Sequence, residues 1–217
     1  MMPDPFDESV AARYEGWYET PEGCRADRLE KGLLNRLLGY FPAATCLLEV
    51  GCGTGHFTRW LQGEGLSAVG LDRSEAMLAQ ARALDGFPLV RGDAHHLPFA
   101  DGAFDVVVFV TTLEFLEGPR EALGEALRVA RRGLVLGVLN RWSVLGLWRR
   151  LIGLFRPDVY GAAHFYGVGE LKRLLGSVAG EGTPILWRTT LFPRGCPWSQ
   201  ASLPWGGFIG MALVVER

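Results

Sequence analysis

The sequence predicts an α/β fold, with an open, mostly parallel sheet and helices on both of its faces. From residue 46 to residue 139, short apolar runs alternate with segments of helical spacing, and this alternation is typical of parallel sheets. The apolar runs are continuous, which suits strands that are covered on both sides. A length of 217 residues fits one domain, so we expect residues 1–217 to fold as a single three-layer unit.

Five strands and four helices are predicted in the first 140 residues. Leucines at helical spacing predict a helix over 27–38. Ser74 can cap a helix at 75–84, and Pro119 can occupy the first turn of a helix at 121–130. Another helix is predicted at 56–62, and strands are predicted at 46–50, 68–71, 88–91, 104–110 and 133–139.

The pattern changes after the fifth strand. We interpret residues 140–166 as an insertion or lid and residues 168–178 as a helix. The last two strands are predicted at 184–190 and 208–215, as a hairpin that adds one antiparallel strand to the parallel set. The expected sheet therefore has seven strands, and residues 1–40 form a helical cap before it.

Composition excludes several classes of protein. The formal charge is −2, from 22 basic and 24 acidic residues, so the chain lacks the basic field that nucleic-acid binding requires. No apolar run reaches the roughly 18 residues of a membrane span, and the acidic N-terminus is unlike a secretory signal. The four cysteines form no C-x-x-C pair and no ligand cluster. We therefore expect reduced thiols, no metal and a cytoplasmic protein.

Glycine is abundant, with 29 residues, and three glycines follow the first predicted strand at alternate positions. Gly51, Gly53 and Gly55 lie between that strand and a helix, where glycine permits a sharp turn and leaves no Cβ between backbone and ligand. The spacing differs from the G-x-G-x-x-G loop of dinucleotide-binding proteins, because the third glycine comes one residue earlier. A tight turn without a ligand is the alternative interpretation.

Two acidic residues follow the next two strands. Asp72 ends the second strand, where a carboxylate can accept both hydroxyl groups of a ribose, although it can also serve only as a carboxylate at a helix N-terminus. Asp93 and Ala94 follow the third strand, where a carboxylate and a backbone N–H can bind the edge of an adenine. Glu49 precedes the glycine loop, and no lysine or arginine lies in it. The pattern therefore favours an adenosine ligand with a cationic group over a pyrophosphate.

Four motifs, in order, resemble those of the class I S-adenosylmethionine-dependent methyltransferases, which have a Rossmann-like fold. The motifs are LLEVGCGTGHF, VGLDRSEAML, RGDAHHLPFADGAFDVVVF and ALRVARRGLVLGVLN. The similarity is greatest to the small-molecule branch that includes quinone-biosynthesis enzymes, and it covers about residues 10–140. It implies S-adenosylmethionine as cofactor and S-adenosylhomocysteine as product. Arg131-Arg132-Gly133 departs from the Pro-Gly-Gly turn that is usual in the family.

The resemblance also implies roles for particular residues. The three glycines flank the methionine part of the cofactor, Asp72 holds the ribose, and Asp93 with Ala94 binds the adenine. Residues 111–113 border the sulfonium, and Tyr14 with Trp17 belongs to a segment that closes over the cofactor. The complete predicted set is Tyr14, Trp17, Glu49, Gly51, Cys52, Gly53, Gly55, Asp72, Arg73, Asp93, Ala94, His95, Thr111 and Leu113.

The implied reaction is an in-line displacement at the methyl group of a sulfonium, for which positioning of the acceptor does most of the work. A general base is needed only when the acceptor carries a proton of high pKa, so no catalytic residue is predicted. The expected partner is a small-molecule acceptor. The alternative functions are a dinucleotide-binding oxidoreductase and an S-adenosylmethionine-binding protein without enzymatic activity.

Two parts of the chain keep several interpretations. His164 and Tyr166 either face the acceptor or pack in the ordinary way. Residues 144–155 carry a wide apolar face with arginines opposite. This segment is interpreted as a packed helix or homodimer face, as a lid over an apolar acceptor pocket, or as a helix on a membrane surface.

Overall fold

An eight-stranded sheet lies at the centre of the computed structural model, which describes residues 6–84, 86–143, 163–180 and 182–215. The helices are α1 (Glu8–Tyr18), α2 (Pro21–Leu38), α3 (His56–Gly63), α4 (Glu75–Ala83), α5 (Pro119–Val129) and α6 (Val168–Ala179), and Leu113–Phe115 form a 3₁₀ turn. The strands are β1 (Cys46–Val50), β2 (Ser67–Asp72), β3 (Leu89–Arg91), β4 (Phe104–Val110), β5 (Ala130–Leu139), β6 (Ile185–Thr190), β7 (Gln200–Ala201) and β8 (Phe208–Val214).

The strand order is β3-β2-β1-β4-β5-β8-β6-β7, and β1 to β5 pair in parallel. Strand β8 lies antiparallel between β5 and β6, as the predicted hairpin requires. The predicted α/β fold is confirmed, but the strand count of seven is wrong. The eighth strand is β7, whose two residues pair antiparallel with Thr189 and Thr190 at the sheet edge. A two-residue strand has no periodicity for the sequence to reveal.

Successive residues of the central strands point to opposite faces of the sheet, and each face has its own core. Leu47, Val106 and Val108 pack with α2 and α3, whereas Val107 and Phe109 pack with α5 and α6. The continuous apolar runs therefore serve two layers of helices at once. This arrangement is the predicted three-layer sandwich.

The two N-terminal helices begin at side-chain caps. Asp7 accepts from the backbone N–H of Val10 at the start of α1, and Thr20 accepts from Gly23 N–H at the start of α2. Because Pro21 occupies the first turn, α2 begins there rather than at residue 27, and α1 is a separate helix that the sequence pattern did not delimit. The other predicted elements agree with the structure within three residues.

Arg131-Arg132-Gly133, which departs from the Pro-Gly-Gly turn that is usual in the family, belongs to β5. Arg131 and Arg132 place guanidinium nitrogens 3.3 Å and 3.5 Å from Oδ1 of the buried Asp105, and Gly133 has a φ of 150°. The pairing of β4 with β5 shifts in register at this point. The segment predicted as a helix over 144–155 lies outside the described residues. Among the residues that the structure describes, no helix is long and apolar enough to cross a membrane.

Candidate functional site

A cavity opens at the carboxyl ends of β1, β2 and β4, where most of the predicted cofactor residues converge. Nine of those residues line the cavity: Tyr14, Gly51, Gly53, Asp72, Arg73, Asp93, Ala94, His95 and Thr111. Five do not: Trp17, Glu49, Cys52, Gly55 and Leu113. Thr112, which lies within the predicted segment 111–113, also lines it. Sequence reasoning missed eight further lining residues: Phe6, Val50, Leu71, Met77, Gly92, Val110, Phe115 and Leu116.

The three loop glycines are required for different reasons. All have a positive φ, of 73° at Gly51, 54° at Gly53 and 78° at Gly55, which favours glycine. A Cβ on Gly51 would meet Cγ2 of Thr112 at 2.1 Å, and one on Gly55 would meet the Phe87 ring at 1.9 Å. A Cβ on Gly53 would meet only the Met77 sulfur, at 4.0 Å. Gly51 and Gly55 therefore accommodate the packing of the protein itself, whereas Gly53 faces the open cavity.

Asp72 joins the glycine loop to helix α4. Its Oδ2 accepts from the backbone N–H of Gly53 at 2.7 Å, and its Oδ1 accepts from Ser74 N–H at 2.8 Å. Ser74 in turn caps α4 by accepting from Met77 N–H. Both carboxylate oxygens are thus fixed in direction at the cavity wall, and a carboxylate oxygen can accept more than one hydrogen bond. The bracing role and an acceptor role toward a ligand are compatible.

Asp93 and His95 form a second polar edge of the cavity. Asp93 Oδ1 accepts from the backbone N–H of His95 at 2.9 Å and lies 2.7 Å from His95 Nδ1. The backbone hydrogen bond from His95 lowers the pKa of Asp93, so this carboxylate is charged at neutral pH. Ala94 between them is buried.

The predicted residues behind the loop are buried and do not reach the cavity. Burial raises the pKa of Glu49 to about 8, even though the Thr58 hydroxyl donates to it. Burial also raises the pKa of the Cys52 thiol, which keeps it in the unreactive thiol form. Leu113 is fully buried in the core. These residues act on the cavity only through the backbone that they support.

A second stretch of backbone with a positive φ lies directly after β4. Thr111 has a φ of 49°, which is rare for a residue with a branched side chain, and its N–H donates to Gly137 at 2.8 Å. The hydroxyl of Thr112 donates to the Gly51 carbonyl at 3.2 Å. Strained backbone of this kind is concentrated at functional sites. The turn therefore locks the glycine loop against the end of the neighbouring strand.

Tyr14 and Trp17 differ in position although both lie on α1. Tyr14 lines the cavity, whereas Trp17 is 37% exposed and contacts the Tyr18 ring edge-on at 4.9 Å. Phe6, before α1, reaches the cavity and packs edge-on against Phe115 at 4.9 Å. No local signal identifies Phe6, because only the path of the chain brings it to the sheet edge.

His164 and Tyr166 lie beside the cavity rather than in its lining. The hydroxyl of Tyr166 donates to the Leu113 carbonyl at 3.2 Å, and His164 Nε2 lies 2.6 Å from Glu170 Oε1. Both side chains thus have partners within the protein. The His164 N–H donates to the carbonyl of Glu114 at 2.8 Å. Glu114 is 2% exposed, and its Oε1 accepts from Leu139 N–H at 2.6 Å.

The chain is similar to proteins of known family. Residues 48–136 match the family described as "Methyltransferase domain". The chain is 36% identical over 172 residues to the malonyl-[acyl-carrier protein] O-methyltransferase of Pectobacterium atrosepticum, which covers 73% of this chain and 65% of that protein. It is 34% identical over 144 residues to the ubiquinone/menaquinone biosynthesis C-methyltransferase UbiE of Roseobacter denitrificans, with 62% and 54% covered. The chain thus spans less than two thirds of the length of these curated relatives.

Solved structures have the same fold. A Thermotoga maritima protein described as a SAM-dependent methyltransferase, possible histamine N-methyltransferase, superposes with a TM-score of 0.79 at 26% identity, over 97% of this chain and 98% of that one. Magnesium protoporphyrin IX methyltransferase from Synechocystis, solved with bound SAH, gives a TM-score of 0.71 at 16% identity, over 97% and 96%. At that identity the second likeness concerns the fold alone.

Proposed function

We propose that this chain, whose residues 48–136 match a methyltransferase domain, is a class I S-adenosylmethionine-dependent methyltransferase that transfers a methyl group from S-adenosylmethionine to a small molecule. The observation that carries the proposal is the convergence of Gly53, Asp72 and Asp93 on one cavity. These residues follow three successive strands, and the parallel sheet brings the strand ends together.

The cavity suits an adenosine with a sulfonium group. In our proposal Asp72 accepts from the ribose, Asp93 and Ala94 bind the adenine, and the methionine part lies along Gly51 and Gly53. Any residue other than glycine at position 53 would place its side chain in the open space in front of Gly53, where the cofactor lies in this proposal. The Synechocystis enzyme, which has the same fold, was itself solved with bound SAH.

The walls of the cavity favour the chemistry of methyl transfer. Bound S-adenosylmethionine supplies an electrophilic methyl group, and the positive charge of its sulfonium disperses as the methyl leaves. Val50, Val110, Phe115 and Leu116 give the cavity an apolar wall that excludes water. Thr111, at the end of β4, belongs in this proposal to the part of the wall that borders the reacting group. The protein contributes mainly by positioning the two reactants.

The acceptor side is proposed to involve the parts of the chain after β5. Phe192, Trp198 and Trp205 form an aromatic cluster in the proline-rich loop over 192–208, with ring centroids 4.7 to 6.4 Å apart. We propose that this loop and residues 140–166 shape the acceptor pocket of a single domain over 1–217. By their names, the relatives are a malonyl-[acyl-carrier protein] O-methyltransferase and a C-methyltransferase of ubiquinone/menaquinone biosynthesis, which supports a small-molecule or carrier-bound acceptor.

A cytoplasmic location is proposed on the state of the thiols. All four cysteines are free in the structure: Cys24, Cys46, Cys52 and Cys196. Free thiols are typical of reducing compartments. The homodimer expected as one interpretation of 144–155 stays a prediction.

Isothermal titration with S-adenosylmethionine and S-adenosylhomocysteine tests cofactor binding. We expect micromolar binding of both, and at least about tenfold weaker binding for Asp72→Ala, because the ribose loses its acceptor and the loop its brace. Asp101→Ala is the matched control, since Asp101 is exposed and pairs with Arg128 away from the cavity. Absence of binding at high micromolar concentration, or binding of NAD instead, would overturn the proposal.

Mass spectrometry of a cell extract incubated with the protein and a methyl-labelled cofactor tests turnover. A labelled product of low mass is the expected result. Cofactor binding without any labelled product from a range of extracts would identify a binding protein rather than an enzyme.

A further inference from the structure

His56, the residue that follows the third loop glycine, is surrounded by charged groups from four elements. Its Nε2 lies 2.7 Å from Asp27 Oδ1 on α2, and its Nδ1 lies 3.5 Å from Glu15 Oε2 on α1. The Tyr18 ring of α1 stacks on the imidazole at 3.6 Å with an interplanar angle of 6°. An imidazole with carboxylates at both nitrogens can donate to both only when it carries two protons.

The other charged groups around the His56 ring do not reverse its preference for the doubly protonated form. Lys31 on α2 lies 3.1 Å from Nε2 and opposes protonation, but it is itself paired with Asp27 at 2.8 Å. Arg59 on α3 pairs with Glu15 at 3.1 Å, and Glu49 on β1 interacts electrostatically with His56. Burial alone lowers the pKa of His56, but the hydrogen bonds with Asp27 and Glu15 outweigh it, and the pKa is raised above 6.5.

This cluster connects α1 to the cofactor cavity. Glu15 accepts from the Thr54 hydroxyl within the glycine loop, and the neighbouring Tyr14 lines the cavity. Helix α1 buries only Ala11, so little apolar surface holds it in place. Its position over the cavity therefore depends on the polar contacts at its C-terminal end.

We infer that His56 is a positioning residue whose imidazolium holds α1, and with it Tyr14, over the cofactor cavity, so that cofactor retention depends on pH. The inference rests on the proposed function for its ligand. Loss of the second proton leaves Nδ1 or Nε2 without a hydrogen to donate, and one half-buried carboxylate then lacks that partner. Helix α1 loosens, and the cover over the cavity opens.

The sign of the effect follows from the raised pKa. Because the folded state binds the proton more tightly than the unfolded state, the contribution of His56 is complete below about pH 6.5 and is lost as the pH rises through the raised value. Cofactor affinity is therefore expected to be higher at about pH 6 than at about pH 8.5. Glu49 and Glu114 also titrate near pH 8, so the wild-type profile must be compared with a variant that lacks His56.

Isothermal titration with S-adenosylhomocysteine at both pH values tests the ligand side. We expect the wild-type Kd to rise roughly tenfold from about pH 6 to about pH 8.5, the scale of one charge-assisted hydrogen bond. His56→Gln should bind weakly at both values, with most of the pH dependence lost. Asp27→Asn, which keeps the imidazole and removes its closest carboxylate, should give the same result. His96→Gln removes an exposed histidine and should retain the wild-type profile.

Hydrogen exchange of the α1 amides without ligand tests the structural side. Corrected for intrinsic rates, exchange should be slower at about pH 6 than at about pH 8.5 in the wild type and fast at both in His56→Gln, while β4 stays protected. Thermal unfolding confirms that the variants fold. Equal protection of α1 in wild type and variants, or a Kd profile unchanged by His56→Gln, overturns the inference. Failure of S-adenosylhomocysteine to bind at either pH counts against the proposed function instead, and the exchange result still decides the role of His56.

Discussion

The two N-terminal helices, α1 and α2, are adjacent in the chain but are held by different forces. Helix α2 buries Leu33, Leu34 and Leu37 completely against the sheet, whereas α1 buries only Ala11. The α1 end near Glu15 is fixed by charged and hydroxyl groups instead. Apolar burial responds little to pH or salt, but ion pairs respond to both. The comparison indicates that α2 belongs to the scaffold and that α1 is a cover whose position solution conditions can change.

Two strand glycines explain the close approach of α2. A Cβ on Gly210 of β8 would meet Leu37 Cδ1 at 2.6 Å. One on Gly137 of β5 would meet the Phe208 ring of β8 at 2.4 Å and Leu34 Cδ2 at 3.3 Å. Part of the glycine excess therefore makes room for a helix rather than for a ligand. No comparable fit exists between α1 and the sheet, because α1 lies on α2 and α4.

The largest effect is expected from the apolar side of this comparison. Leu34→Ala leaves a cavity between α2 and the sheet and should lower the free energy of unfolding by about 2–5 kcal/mol. Urea denaturation measures the change. Leu84→Ala, at a position 45% exposed, should change stability by less than about 0.5 kcal/mol. Similar losses for both variants would mean that α2 is not part of the core.

A second prediction concerns Glu114, a buried acidic residue that interacts electrostatically with the buried Glu30 of α2. Burial, and to a lesser extent the charge of Glu30, raises the pKa of Glu114 to about 8. Glu114 is therefore protonated at neutral pH. The folded state therefore binds a proton that the unfolded state releases near pH 4.5, and stability falls as the pH rises between these values. Glu114→Gln should remove this decline. Between about pH 4.5 and about pH 8, its free energy of unfolding should rise by roughly 2–4 kcal/mol relative to that of the wild type.

Denaturation curves across this pH range measure the Glu114 effect. The amide keeps an oxygen for Leu139 N–H and carries no charge at any pH. Glu117→Gln, at an exposed carboxylate, is the control and should follow the wild type. A constant difference between Glu114→Gln and wild type at every pH would contradict the prediction.

A third, smaller effect is expected where α1 is anchored at its beginning. The buried Ser74 hydroxyl donates to the Phe6 carbonyl at 2.8 Å and accepts from Met77 N–H at 3.3 Å. Ser74→Ala removes both contacts and should cost about 1–2 kcal/mol. Hydrogen exchange should localise the loss to α1 and the start of α4. The exposed Ser177→Ala should leave both regions unchanged.

The smallest effect is expected from salt. Raising the NaCl concentration from about 0.05 M to about 1 M shortens the screening length from more than 10 Å to about 3 Å. The partly exposed pair of Arg59 and Glu15 weakens, and exchange of the α1 amides should rise by about two- to fivefold. Exchange in β4 and α2 should stay the same. Equal sensitivity of α1 and α2 to salt would remove the distinction between them.

The sequence alone determined the order of the elements and the residues at the ends of the strands. Gly53, Asp72 and Asp93 could be identified because each follows its strand directly, and parallel strands end at one edge of the sheet. The helix cap at Ser74 is also a local signal. Periodicity and capping act within a few residues, so a single sequence carries them in full.

Tertiary structure decided the features that join distant parts of the chain. Phe6 reaches the cavity and the loop between β6 and β8 supplies β7, yet neither has a pattern of its own. His56 reads in the sequence as an ordinary residue after a glycine loop, and its partners Glu15 and Asp27 lie 41 and 29 positions away. The protonation state of a side chain depends on charges and burial in three dimensions. Only the folded chain could therefore distinguish a helix held by apolar packing from one held by a protonated imidazole.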